Sequence, residues 1–269
     1  MAGRSLLSEL ETVVGGLAGA EATGLFTDVD GTLSEISPSP EAARVSAEIA
    51  GLLGRLNDAL ALVAVVSGRR AEEAADLVGR PDLLYLGNHG FERLEDGELA
   101  VKPGEPDKIA AARLELEQCL PQAQGLFIED KGRILAVHYR CCSDENAIAR
   151  ADSVTTEVAR NLGLQRQSGR MIFELRPVGT DKGGSILEVA AERGLRQVIY
   201  LGDDATDIDA FRILRGAVAE DRLAALTVAV AAAESPPGIK EEADYWVASV
   251  SEVTEFLRRL AERYSPSVS

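Results

Sequence analysis

At 269 residues the chain is long enough for one large α/β domain, or for a core carrying a smaller second domain. A formal net charge of −16 argues against a nucleic-acid partner, because a polyanion is bound by a basic footprint. No apolar run approaches the roughly 20 residues that cross a bilayer, and 46% hydrophobic with 27% charged residues is the balance of an ordinary globular protein.

In chain order, the opening "MAGRSLLSELETVVGG" carries Glu9 and Glu11 where a signal peptide needs an unbroken apolar core, so it reads as a short amphipathic helix of a cytoplasmic protein. The apolar run "GLFTDV" (24–29) follows, then the helically periodic "SPEAARVSAEIAGLLGRLND", then the runs "ALVAVVSG" (61–68) and "LLYLGN" (83–88). Next comes a stretch of different character. "QGLFIEDKGRILAVHYR" reads as two strands joined by a turn, "DENAIARADSVTTEVARNLG" as a helix and "RMIFELRP" as a third strand. Beyond it lie the helical "GGSILEVAAERG", the runs "QVIYLGDD" (197–204) and "LTVAVA" (226–231), and a loop "ESPPGIKEEADYWVAS" (234–249). A last short strand, the helix "SEVTEFLRRLAERY" and a loose "SPSVS" end the chain.

Short apolar strands alternating with helices predict a doubly wound parallel sheet, covered on both faces. The strand-strand-helix-strand stretch predicts a small α+β domain inserted into it. The expected division is 1–102 and 178–269 for the core and 103–177 for the insert, with "KPGEPDK" (102–108) and "RPVGTDK" (176–182) as hinges. Residues 103–177 hold 10 Lys/Arg against 11 Asp/Glu, so the negative charge lies almost wholly outside them and the insert is the part less hostile to an anion. Cys119, Cys141 and Cys142 have no metal spacing and are expected to be buried small apolar residues.

Ligands of such sheets bind beyond the carboxyl ends of the strands, and the polar clusters of this chain stand there. "TDVDGT" puts Asp28 and Asp30 at the exit of a strand, where one carboxylate could attack while the other moves a proton. The alternative is an Asx-type turn cornered at Asp30-Gly31. Ser67, in "VVSGRR", could hold a phosphoryl oxygen or simply cap a helix. Lys182 heads a helix, where a cation opposes the helix dipole, so it either neutralises nearby anions or lies solvated on the surface. Asp203, Asp204, Asp207 and Asp209 crowd the end of another strand, which a cation would relieve; an acidic helix start explains one or two of them. Together these predict Asp28 as nucleophile, Asp30 as proton carrier, and Ser67 and Lys182 as stabilisers of the phosphoryl oxygens. Mg2+ would be held by Asp28, the Asp30 carbonyl and Asp203, assisted by Asp207 or Asp204.

Those clusters, in that order, resemble the four motifs of the haloacid dehalogenase superfamily, from residue 24 to about 256. The resemblance implies a Rossmann-like core with the insert as a cap. Within the superfamily, "GNHG", "EDKGRILAVHYR", "FELRPVGTDKGG" and "GDDATDIDAF" are similar to trehalose-phosphate phosphatases. That likeness implies hydrolysis of trehalose 6-phosphate, with Glu129, Lys131, His138, Arg140, Glu174 and Arg176 recognising the sugar. His138, Arg140 and Glu174 could instead form an internal network, whereas Lys131, at a turn tip, is the strongest cap candidate. Arg69, Asn88 and His89 follow core strands and are placed beside the sugar or the phosphate. The expected partner is a small sugar phosphate, with no nucleic acid and no membrane, for a monomer acting alone. A different sugar phosphate (sucrose, glucosylglycerol or mannosyl-phosphoglycerate) and a non-catalytic sensor are the competing readings.

Overall fold

The computed structural model describes residues 3–37, 42–102, 106–169, 171–179, 181–233 and 235–264. Residues 103–105 and Thr180 of the two predicted hinges, and the tail "SPSVS", lie outside the described residues. The chain divides into two compact units, Met1–Ala100 with Asp181–Ser269, and Val101–Thr180.

The elements in order are β1 (Arg4–Ser5), α1 (Leu10–Gly15), β2 (Thr23–Thr27), α2 (Ala47–Asn57), β3 (Leu62–Val66), α3 (Ala71–Val78), β4 (Leu84–Gly87), β5 (Glu92–Glu95) and β6 (Glu98–Val101). Then come α4 (Pro106–Cys119), β7 (Phe127–Asp130), β8 (Leu135–His138), α5 (Glu145–Leu162), β9 (Gln165–Gly169) and β10 (Ile172–Arg176). The chain closes with α6 (Lys182–Glu192), β11 (Gln197–Gly202), α7 (Ala205–Ala219), β12 (Ala224–Val230), α8 (Ile239–Glu242), β13 (Tyr245–Val247) and α9 (Val250–Tyr264).

The first unit is built on a sheet of order β1-β13-β12-β11-β2-β3-β4-β5-β6, in which β1 through β4 of that row pair in parallel and β5 joins β4 antiparallel. Its central strands are buried on both faces, so side chains that alternate along them feed two separate cores. Leu25, Val63, Val65, Ile199 and Leu201 pack with Leu53 of α2 and Phe256 and Leu257 of α9. Their neighbours Phe26, Ala64, Val66, Val198 and Tyr200 pack on the other side with Ile186 of α6 and Phe211 and Leu214 of α7. Helix α2 shows how the local sequence commits. Ser46 caps it by accepting from Ile49 N at 3.2 Å, and Ile49, Leu52, Leu53 and Leu56 form the buried stripe. The result is the doubly wound parallel sheet that the apolar runs predict.

The second unit is a four-stranded antiparallel sheet of order β7-β8-β10-β9. One face packs Leu135, Val137, Phe173 and Leu175 against Ile109 and Leu116 of α4 and Val154 and Val158 of α5. Two of its elements are absent from the sequence reading. Helix α4 buries only the narrow stripe Ile109, Ala112 and Leu116, and β9 ("QRQSG") has no apolar residue to mark it as a strand. The opening segment contributes strand β1 as well as a helix, and α8 stands in the predicted loop before β13. The expectation of buried cysteines is corrected: Cys119 and Cys141 are exposed, Cys142 is half-buried, and all three are free thiols. Cys119 ends a helix and the other two sit in the turn after β8, positions that face solvent.

Candidate active site

Strands β11, β2, β3 and β4 are neighbours, and the polar residues at their carboxyl ends meet in the first unit. Asp28 follows β2 directly, and its backbone N–H donates to Leu201 O at 2.9 Å, which ties the exit of β2 to β11. Asp28 is only 5% exposed. Lys182 Nζ lies 3.0 Å from Asp28 Oδ1 and 2.7 Å from Asp207 Oδ1, so the cation that opposes the dipole of α6 is answered by two buried carboxylates. The surface-lysine alternative does not describe this residue, which is 3% exposed.

Asp207 is the most heavily used carboxylate of the group. Its Oδ1 also accepts from Tyr200 Oη at 2.5 Å, and its Oδ2 accepts the backbone N–H of Asp203 at 2.8 Å and of Asp204 at 2.9 Å. Four donors on two oxygens match the full acceptor capacity of a carboxylate. Carboxylate oxygens of Asp28, Asp203 and Asp207 lie within 4.8 Å of one another; with Asp207 taken up by its four donors, Asp28 and Asp203 are the hard oxygen donors of the kind that holds a divalent cation. Gly31 shapes this set. Its φ is +83°, and a Cβ there would overlap Asp203 Oδ2, so only glycine lets the Asp203 carboxylate lie against the Asp30-Gly31 backbone. The four acids after β11 thus divide: Asp203 and Asp207 turn inward, Asp204 takes the N-cap position of α7, and Asp209 pairs with Arg212 at 3.4 Å.

Charge states follow from burial and neighbours. Burial pushes the Asp28 carboxyl up to about 7; Lys182 pulls it down, while Asp207 and Asp30 add to the rise. Burial works against the charge of Lys182, yet Asp207 and Asp28 outweigh it and hold the ammonium above the ordinary lysine range. Burial likewise opposes ionisation of Asp207, but Lys182 and the Tyr200 hydroxyl prevail and keep it below the usual carboxylate range. Burial, then the charge of Asp207, raises the Tyr200 phenol well above its usual value, so it stays a donor.

Asp30 is half-buried and grasped by Arg69: Nε donates to Oδ2 and a terminal guanidinium nitrogen to Oδ1, each at 2.7 Å. This long-range fork, not a local Asx-type bond, defines the Asp30 carboxylate. That bond to Asp30 also raises the Arg69 pKa. Ser67 is 1% exposed at the end of β3, and its Oγ accepts from Arg69 N at 3.1 Å. It does not cap α3, whose N-cap position is Arg70. Asn88 and His89 are buried after β4 and donate from their backbone N–H to Arg69 O at 2.7 Å and Ser67 O at 2.9 Å.

In the second unit, register places Glu129 opposite Ala136 and Ala136 opposite Glu174 on the face away from the apolar core. Lys131 Nζ pairs with Glu174 Oε1 at 3.0 Å, and His138 Nε2 lies 2.7 Å from Glu129 Oε2. That bond to His138 holds the Glu129 carboxyl below its usual range, against the effect of burial. Arg176 lies two residues beyond Glu174 on the same face, buried, while Arg140 is exposed past the end of β8. Lys131 is therefore an ion-paired, largely buried side chain and not the mobile turn-tip cation of the sequence reading. Tyr200 and Glu92 escape that reading altogether. A tyrosine two positions before "GDD" on a buried strand is the only sign of the first, and a glutamate just after "GNHGF" that of the second.

A doubly wound sheet with paired aspartates after one strand, a lysine heading a later helix and an acid-rich turn after the next strand has the fold of the haloacid dehalogenase-like hydrolases. One such hydrolase, from Bacteroides thetaiotaomicron, superposes with a TM-score of 0.64 at 18% identity, covering 88% of this chain and 99% of that one. The C-terminal domain of the Candida albicans trehalose-6-phosphate phosphatase gives a TM-score of 0.80 at 20% identity over 97% of this chain and 98% of that one. The sequence model of the trehalose-phosphatase family matches residues 26–251, and the chain belongs to that family. A trehalose-phosphate phosphatase of Mycobacterium avium (strain 104) is 35% identical over 215 residues, 75% of this chain and 53% of that protein, so the chain spans about half the length of this curated relative.

Proposed function

We propose that the chain is a Mg2+-dependent phosphatase that hydrolyses trehalose 6-phosphate to trehalose and phosphate through an aspartyl-phosphate on Asp28. The observation that carries this reading is the buried Asp28–Lys182–Asp207 cluster at the exit of β2, an arrangement costly to build for stability alone. Family membership supplies the substrate class.

In the proposed reaction an Asp28 oxygen attacks phosphorus as the bond to the sugar oxygen breaks, and Asp30 delivers a proton to the leaving alkoxide. Asp30 then takes a proton from water, which attacks phosphorus and frees Asp28. Arg69 occupies both Asp30 oxygens, so it must let go of one for Asp30 to reach the leaving oxygen. Lys182 and Ser67 face the charge that shifts onto the phosphoryl oxygens. Mg2+, when bound by Asp28, the Asp30 carbonyl and Asp203, supplies the positive charge that screens one anion from the other. Asp207 is assigned to holding Lys182 and the Asp203-Asp204 turn, since its oxygens already accept four donors. Glu129, Lys131, His138, Arg140, Glu174 and Arg176 are assigned to the sugar. Three free thiols and no helix, among the described residues, long and apolar enough to cross a membrane accord with a cytoplasmic enzyme, proposed to act as a monomer.

The test is phosphate release from trehalose 6-phosphate, sucrose 6-phosphate, glucose 6-phosphate and glucosylglycerol phosphate, with Mg2+ and with excess EDTA. Metal-dependent preference for trehalose 6-phosphate is expected. Preference for another member would discard the substrate, and metal-independent release would discard the chemistry.

A further inference from the structure

We infer that Glu92 is a positioning residue for the proposed reaction, holding Ser67 and Arg69 in place through a strained loop; the inference rests on the phosphatase reading. Glu92 opens β5, opposite Gly87 of β4, and is 5% exposed. Its Oε1 accepts from Asn88 Nδ2 at 2.8 Å and its Oε2 accepts from Ala71 N, at the start of α3, also at 2.8 Å. Gly87 makes the second bond geometrically possible, because a Cβ at that position would overlap Ala71 N.

The loop that Glu92 grips is under backbone strain. Asn88, His89 and Gly90 have φ of +49°, +56° and +94°, and the first two are non-glycine residues in the left-handed region. Such a run persists only where its surroundings over-determine it. Its output is specific: the backbone N–H of Asn88 and of His89 hold the carbonyls of Arg69 and Ser67. Those are the residues that grasp Asp30 and face the phosphoryl group in the proposed site. One buried carboxyl thus binds the two ends of the Ser67–Ala71 segment, α3 directly and Ser67-Arg69 through Asn88. Glu92 touches no reacting atom and acts only through them.

Glu92→Met keeps the length of the side chain and removes both acceptors, leaving the Ala71 N–H and the Asn88 amide without this partner. With the Mg2+-loaded protein and trehalose 6-phosphate, the variant is expected to lose kcat tenfold or more with KM within threefold. In a background carrying both Ser67→Ala and Arg69→Ala the same change is expected to cost less than threefold, because the groups it positions are gone. A folded variant with kcat within threefold of wild type, or a loss of threefold or more in both backgrounds, would overturn the inference. Should Glu92→Met not fold, Asn88→Gly removes the side-chain bond while keeping the positive φ, and the same cycle applies. A crystal structure of either variant decides independently of turnover. Broken His89–Ser67 and Asn88–Arg69 bonds support the inference, and intact ones refute it even if the wild type proves inactive on every sugar phosphate.

Discussion

Replacing Lys182 by methionine removes the cation from between two buried carboxylates while nearly preserving volume. At an effective dielectric of about 20, each contact at 2.7–3.0 Å is worth roughly 5–6 kcal/mol before desolvation is subtracted. Deleting one partner of such a buried group typically costs about 3–5 kcal/mol, since the remaining charges are stranded. That loss is expected in urea unfolding at pH 8 with EDTA present. The pH dependence has a definite sign. Asp28 has a folded pKa of about 7 against a usual 3.8, so its contribution favours the fold at low pH and is lost as pH rises through about 7. At pH 5 Asp28 is mostly protonated in the wild type and has little interaction with Lys182 left to lose. Asp207, held below the usual range, is still charged there and keeps its share. The penalty at pH 5 should therefore fall to about half its value at pH 8. A loss under about 1 kcal/mol at pH 8, or one that grows at pH 5, would refute the electrostatic account of this cluster.

Three further outcomes are expected. Mg2+ binding should release protons near pH 7 and almost none at pH 8.5, because Asp28 must ionise to take the metal; calorimetry in buffers of different ionisation enthalpy measures this, and Asp28→Asn should abolish it. Gly31→Ala should weaken Mg2+ binding at least tenfold, since the methyl would displace the Asp203 carboxylate and the site has a φ of +83°; unchanged affinity in a metal titration would remove Asp203 from the ligand set. Lys131→Ala should raise KM for trehalose 6-phosphate about tenfold and for an aryl phosphate far less, as expected when a site loses a group that pairs with a substrate hydroxyl. Equal losses on both substrates would make the Lys131–Glu174 pair structural.

The sheet was legible in the sequence because its strands are buried on both faces, which leaves continuous apolar runs such as "ALVAVVSG" ending in polar residues. The same contrast pointed to Asp28, Ser67, Lys182 and Asp203, each placed just beyond such a run or at the head of a helix. What sequence could not carry was pairing. Nothing local indicates that Arg69 reaches back 39 positions to Asp30, or that Asp207 spends its oxygens on Lys182, Tyr200 and two backbone amides. Nor does the polar "QRQSG" announce β9, which owes its place to pairing with β10 and not to hydrophobic pattern. Glu92 is hidden for a related reason: its role lies in the bonds it accepts from residues 71 and 88, and those depend on the antiparallel turn from β4 into β5.

Covalent attack by Asp28 is the central step of the proposed reaction. The most direct measurement is rapid acid quench of a single turnover of trehalose 6-phosphate labelled in the phosphate, followed by peptide mapping. Transient label on the peptide containing Asp28, absent in Asp28→Asn together with all turnover, is the predicted result. Turnover without protein-bound label, or appreciable turnover by Asp28→Asn, would contradict it.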